Sequence, residues 1–188
     1  MSIQAVFQRI IFALDQAGIP YMLSGSFATA YYGAARSTQD IDIVIHAASD
    51  QLRSFLKALA KSEYYAEIDS ALQAHRHQSM FNLIDLASGW KIDFIICKSR
   101  PYSQEEFRRR RQVDLHGVLL FMTTAEDAII SKLEWARLGQ SKRQIDDVAA
   151  ILKAQENGLD RPYLQKWITQ LGLEPEWEEA IQAAGISD

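Results

Sequence analysis

The chain has little of what staples, kinks or anchors a protein. It holds one cysteine in 188 residues. No disulfide can form within it, and that usage fits a reducing compartment, so the expected location is the cytoplasm. There is no low-complexity linker and no internal repeat, which excludes solenoids and tethered arrays. No apolar run approaches the roughly 18 residues of a membrane span. No basic segment followed by an apolar run is visible, so neither a membrane partner nor a signal peptide is expected. Neither sign of charge is in excess: 20 Lys plus Arg against 24 Asp plus Glu leave a net charge of −4. A chain so balanced has no general affinity for nucleic acid, and any polynucleotide would need a local basic patch.

What is present suits one α/β domain, or a small domain with an appendage. Hydrophobic residues make up 48% of the chain, enough for a proper core. Ile3, Val6, Phe7, Ile10, Ile11 and Leu14 recur at helical spacing over residues 2–17, and Gly18 with Pro20 stops that helix. A short strand follows at 21–24, and a helix at 26–33. Strand 40–45, a helix capped by Ser49 or Asp50 and running to about 62, and a short helix at 69–75 come next. Two strands, 80–86 and 90–97, flank the turn Ala87-Ser88-Gly89 as a hairpin. Cys97 falls in the apolar run of the second and reads as a small buried hydrophobe. A helix is expected over 103–111 and a strand over 117–122. Thr124 then caps a helix to about Leu138, Gly139 breaks it, and a second helix over 142–154 ends near Asn157-Gly158. Two short helices, 160–171 and 174–184, follow. The reading is a mixed sheet flanked by helices over residues 1–122, with a helical C-terminal extension, 123–188, packed on it.

The chemistry is concentrated early. In Asp40-Ile41-Asp42-Ile43-Val44-Ile45 the residues of a strand alternate faces, so Asp40 and Asp42 point one way and the isoleucines the other. Two carboxylates on one face repel each other unless a cation sits between them, and hard cations such as Mg2+ or Mn2+ take oxygen ligands. Upstream, Gly25-Ser26 makes a tight strand-to-helix turn. Glycine lets backbone approach a ligand closely, and a helix opening at Ser26 presents N–H groups to phosphate. Carboxylates for a metal plus a phosphate-holding turn describe a site for a nucleoside triphosphate (NTP).

Gly25-Ser26 followed by Asp40-x-Asp42 and a later strand carboxylate resembles the pattern of the DNA polymerase β-like nucleotidyltransferases over roughly the first hundred residues. The resemblance implies their fold, and transfer of a nucleoside monophosphate from an NTP to an acceptor hydroxyl or phosphate with release of pyrophosphate. It implies Asp40 and Asp42 as metal ligands and Gly25 and Ser26 as phosphate holders. It points to Asp93, in Trp90-Lys91-Ile92-Asp93, as the third carboxylate, a metal ligand or a general base. Asp85, on the other arm of the hairpin, is its rival. Arg36 and Thr38, just before the carboxylates, are candidates for phosphate or acceptor contacts.

Two later stretches bear on the acceptor. Arg108, Arg109, Arg110 and Arg111 on one helix would be spread around it, a solvated face first and an RNA contact second. His75 and His77 read as surface residues of a loop. Around the Gly139 break, Lys132 and Asp147 stand at about the same height on two antiparallel helices. Ile130-Ser131-Lys132-Leu133 with Arg143-Gln144-Ile145-Asp146-Asp147 resembles the AbiEii-like nucleotidyltransferases, toxins of bacterial toxin–antitoxin systems. That resemblance implies a role for Lys132 in steadying the triphosphate and for Asp147 in orienting it or the acceptor. It implies tRNA or another macromolecule as acceptor and a cognate antitoxin as partner. A small-molecule, aminoglycoside-type acceptor and a non-catalytic nucleotide-binding module are the alternatives.

Overall fold

The computed structural model describes residues 2–155 and 158–186. Among them are seven strands and nine helices: α1 Ile3–Gln16, β1 Tyr21–Leu23, α2 Gly25–Tyr31, β2 Asp40–Ile45, α3 Ser49–Ala58, β3 Tyr64–Ala66, α4 Ile68–His77, β4 Met80–Asp85, β5 Lys91–Ile96, α5 Pro101–Arg109, β6 Arg111–Leu115, β7 Val118–Met122, α6 Ala125–Gly139, α7 Lys142–Ala154, α8 Arg161–Leu171 and α9 Glu174–Ala184. They form two compact units. One comprises Met1–Phe27 and Ser37–Thr123; the other comprises Ala28–Arg36 and Thr124–Asp188. Residues 28–36 thus go with the later helices.

The first unit is built on one mixed sheet, in the order β3-β4-β5-β2-β1-β7-β6. Its centre is the parallel pair β2 and β5. Alternation in β2 sets its two faces: Ile41, Ile43 and Ile45 are fully buried while Asp40, Asp42 and Val44 are half-buried. The isoleucine face continues through Ile92, Phe94 and Ile96 of β5 and Phe81 and Leu83 of β4, in register. Phe94 stacks on Phe81 with ring centroids 5.3 Å apart and meets Phe55 of α3 edge-on at 5.9 Å. Such burial of apolar side chains is the main force holding the sheet to its helices. On the other face, Val44 packs against Met22, Cys97 and Phe107 of α5.

The second unit is helical. Thr124 caps α6: its hydroxyl oxygen accepts from the Asp127 backbone nitrogen at 3.2 Å and donates to the Asp127 carboxylate at 2.7 Å. The fully buried Asp127 also accepts from the Tyr163 hydroxyl at 2.6 Å, so its charge is satisfied at the positive end of a helix. The break at Gly139 is where it was expected, with Gln140 left-handed at φ 46° and α7 starting at Lys142. α7 packs against α6 and α9, burying Val148, Ile151 and Leu152. Residues 28–36 lie along α7's end: a Cβ on Gly33 would come within 2.3 Å of the Ala154 methyl, and Gln155 donates to the Tyr32 carbonyl at 3.3 Å. Asn157, expected to close the hairpin, lies outside the described residues.

Several expectations need correction. The arginine run is not helical throughout: α5 ends at Arg109 and Arg111 opens β6, which pairs with β7. Arg108 forks onto Glu105 at 2.6 and 2.8 Å, and Arg110 lies over the Phe107 and Phe121 rings at 4.2 and 5.2 Å. Pairing with β7 through the two-residue turn at His116-Gly117, both at positive φ, outweighs the local helical pattern. β3 falls in the stretch 63–68, for which the sequence suggests no element, and pairs with β4. His75 and His77 sit in α4, with the His75 ring 2.8 Å from the Ala47 carbonyl. Among the described residues no helix is long and apolar enough to cross a membrane.

Candidate functional site

In the parallel pair, Asp40 of β2 faces Lys91 of β5, and Asp42 faces Asp93. Strand parity therefore places four charged side chains on one face, opposite the isoleucines. Three are carboxylates, as the sequence indicates for Asp40 and Asp42 and the resemblance for Asp93. The fourth is Lys91, whose ammonium lies 3.3 Å from an Asp40 oxygen and 3.0 Å from an Asp93 oxygen. Its pKa is raised, first by the hydrogen bond to Asp93, with Asp40 adding and partial burial opposing. The Asp93 side chain is 7% exposed, and its second oxygen accepts from the Asn82 amide across the β4–β5 ladder.

Gly25 closes on this row from the neighbouring turn. Its φ of +59° favours glycine, and a Cβ there would fall 1.8 Å from Asp42 Oδ2. The turn is held by the Ser24 backbone nitrogen, which donates to the Asp42 carbonyl at 2.9 Å. Ser26 follows, buried at the start of the seven-residue α2. Thr38 braces the entry to β2: its hydroxyl is 3.2 Å from both the nitrogen and the carbonyl oxygen of Asp40. That contact is to backbone, so Thr38 shapes the strand that bears the carboxylates.

Asp85 lies on the opposite face of the sheet, with Phe81 and Leu83. It is fully buried, paired with Arg9 of α1, and accepts from the Ala87 and Ser88 backbone nitrogens at 3.0 and 3.2 Å. Arg9 is steadied in turn by the Tyr64 hydroxyl at 3.2 Å. Those partners give Asp85 a structural task in the hairpin turn.

Arg36, Lys132 and Asp147 come together within the second unit. The Lys132 ammonium is 2.8 Å and the Arg36 Nε 3.3 Å from the same Asp147 oxygen. Lys132 and Asp147 are both buried, whereas Asp146 is exposed. The equal heights on the hairpin thus resolve into a contact, and rotation selects Asp147. Both cations thus meet on one carboxylate oxygen.

The donor set in the first unit fits a hard divalent cation: three carboxylates on adjacent strands, one of them lodged against bare backbone at Gly25. Among the described residues, no three His, Cys, Asp or Glu side chains are drawn together as a finished cage. Like charges do not converge unaided, and Lys91 already draws Asp40 and Asp93 toward itself. Sequence reasoning missed Asn82 as a member of this cluster. Its signal is the hairpin register, which sets Asn82 opposite Asp93.

No protein-family model matches the chain, and no curated protein matches it. Solved structures do. An antigenic nucleotidyltransferase-like protein from Paracoccidioides brasiliensis aligns with 98% of this chain and 93% of its own, at 17% identity and a TM-score of 0.56. The antibiotic-resistance factor ANT(2'')-Ia aligns in solution over 96% of this chain and 88% of its own, at 12% identity and a TM-score of 0.50. In complex with adenylyl-2''-tobramycin, it aligns over 96% of both chains, at 13% identity and a TM-score of 0.51.

Proposed function

We propose that this chain, which has a nucleotidyltransferase fold, is a metal-dependent nucleotidyltransferase. The observation that carries the reading is the row Asp40, Asp42 and Asp93 on one sheet face, with Asp42 against the Gly25 backbone. Asp40, Asp42 and Asp93 would hold Mg2+ or Mn2+, which supplies charge compensation for the triphosphate and a Lewis acid at the α-phosphorus. Gly25 and Ser26 hold phosphate through close backbone approach and the serine hydroxyl. The acceptor oxygen attacks the α-phosphorus, the bond to the bridging oxygen breaks, and pyrophosphate leaves. The acceptor proton passes to a base, for which Asp93, oriented by Asn82, is the candidate where it does not serve as ligand.

Lys132 and Asp147 are assigned to the triphosphate or acceptor on resemblance, and Arg36 by its place just before the carboxylates, supported by the contact of both cations with Asp147. For the acceptor, the AbiEii-like resemblance favours tRNA or another macromolecule, with a cognate antitoxin. The dispersal of residues 108–111 removes the basic helix that supported RNA. The second reading, a small polyhydroxylated acceptor, is favoured by the likeness to ANT(2'')-Ia. One experiment tests both. The protein is incubated with each labelled NTP, Mg2+ and either total RNA or a small-molecule extract, and labelled RNA, protein and small molecules are separated. Label in one fraction, lost in Asp42→Asn with an unchanged melting temperature, is expected. No transfer with any NTP, or full transfer by Asp42→Asn, overturns the assignment.

A further inference from the structure

Lys91 is not accounted for by the reaction above, yet it occupies the middle of the carboxylate row. It is the strand partner of Asp40 and stands two residues before Asp93, so its backbone position fixes it between the two. Its ammonium reaches both carboxylates, at 3.3 and 3.0 Å. The side chain is 41% exposed and Asp40 50%, whereas Asp93 is 7% exposed. The lysine can therefore swing outward without disturbing the core, while Asp93, held by Asn82, stays. We propose that Lys91 is a tethered counter-cation, competing with the divalent ion for Asp40 and Asp93 and displaced when the ion enters.

The proposal rests on the metal reading above and adds a property to it. Three carboxylates and one ammonium carry a net charge of −2, against −3 without the lysine. An ion arriving alone must displace a cation already paired to two of its three donors, so binding of the bare ion is weak. Arrival with an NTP changes the balance, because the freed ammonium gains triphosphate oxygens as new partners. Lys91 thus makes the site select the metal–nucleotide complex over the free metal. The lysine also holds the row together between turnovers, when like-charge repulsion would otherwise spread it.

Binding of Mn2+ alone, read from loss of the free-ion paramagnetic resonance signal, tests this on the intact protein. Wild type, Lys91→Met and Lys91→Arg are compared, with melting temperatures measured in chelator and in Mn2+. Lys91→Met is expected to bind Mn2+ at least tenfold more tightly than wild type, about 1.4 kcal/mol. It should melt below wild type in chelator and regain the difference in Mn2+. Lys91→Arg, which keeps the charge, should match wild type in both. Equal Mn2+ affinity in wild type and Lys91→Met overturns the competition and leaves the metal site standing. Absence of Mn2+ binding in all three proteins, with or without a non-hydrolysable NTP analogue, overturns the metal reading itself and the proposal with it. Lys91→Gln repeats the comparison should Lys91→Met fail to fold.

Discussion

A methyl group at position 25 would occupy space that the Asp42 carboxylate fills, 1.8 Å from Oδ2, on a backbone with φ of +59°. Gly89 also has a positive φ, +75°, but nothing lies within 4 Å of its would-be Cβ. Gly89→Ala should therefore lose only the backbone strain, about 1–2 kcal/mol. Gly25→Ala should lose more in chemical denaturation, and it alone should lose nucleotidyl transfer, by at least tenfold. Equal loss of stability in the two, with transfer intact in both, would show that the Gly25–Asp42 approach is not needed. The same separation of roles applies to the hairpin carboxylates. Asp85→Asn removes a charge paired with Arg9, whose side chain is 30% exposed, so it should cost about 2 kcal/mol, less than a wholly buried pair, with turnover per folded molecule retained. Asp93→Asn should melt near wild type and fail to transfer. The reverse pattern would hand the third position to Asp85. Burial pushes the Cys97 thiol up to about 11. The folded protein should resist iodoacetamide at pH 8 and react once unfolded. With the folded value above the ordinary 9.0, the neutral thiol's contribution to stability is complete below pH 9 and is lost as pH rises from about 9 to about 11.

At the scale of elements, the α6–α7 hairpin places Lys132 against Asp147 with both buried. Lys132→Met leaves a buried carboxylate with Arg36 as its remaining cation, and should cost about 2–3 kcal/mol. Lys132→Met with Asp147→Leu should recover part of that loss, because apolar replacement of a buried pair is often neutral. If the cluster serves the triphosphate, the stabilised double variant still transfers at least tenfold more slowly than wild type. Wild-type turnover in the double variant would reduce the cluster to a helix clamp. The helices of this region were legible because their apolar periodicity, the Thr124 cap and the Gly139 break are local signals. The β4–β5 hairpin and the two faces of β2 were legible from alternation. The three residues of β3 are too short to show a period, and β6 alternates weakly behind a run of arginines. For the site, Asp40 and Asp42 share a face by parity alone, and the resemblance supplied Asp93. Asn82 beside Asp93 and Lys91 between Asp40 and Asp93 depend on the strand order β4-β5-β2, which non-local pairing sets. The Arg36 contact with Asp147 likewise joins residues far apart in the chain.

At the scale of the molecule, the chain leaves the first unit after Phe27, returns at Ser37 and leaves again after Thr123. A fragment ending at residue 123 would therefore carry residues 28–36 without Ala154, Gln155 and Asp147, which Gly33, Tyr32 and Arg36 touch. It should express poorly or melt over a broad range by circular dichroism, and adding 124–188 as a separate chain should sharpen the transition. A sharp melt of the fragment alone would show that the sheet unit needs nothing from the helices. The discontinuity also matters during synthesis. Residues 32–36 leave the ribosome about 110–120 residues ahead of their partners Asp147, Ala154 and Gln155. At about 5–20 residues per second that is a wait of roughly 5–25 s. Through that interval the nascent chain holds residues 28–36 without the α7 contacts of Gly33 and Arg36, so this segment stays solvated until α7 arrives.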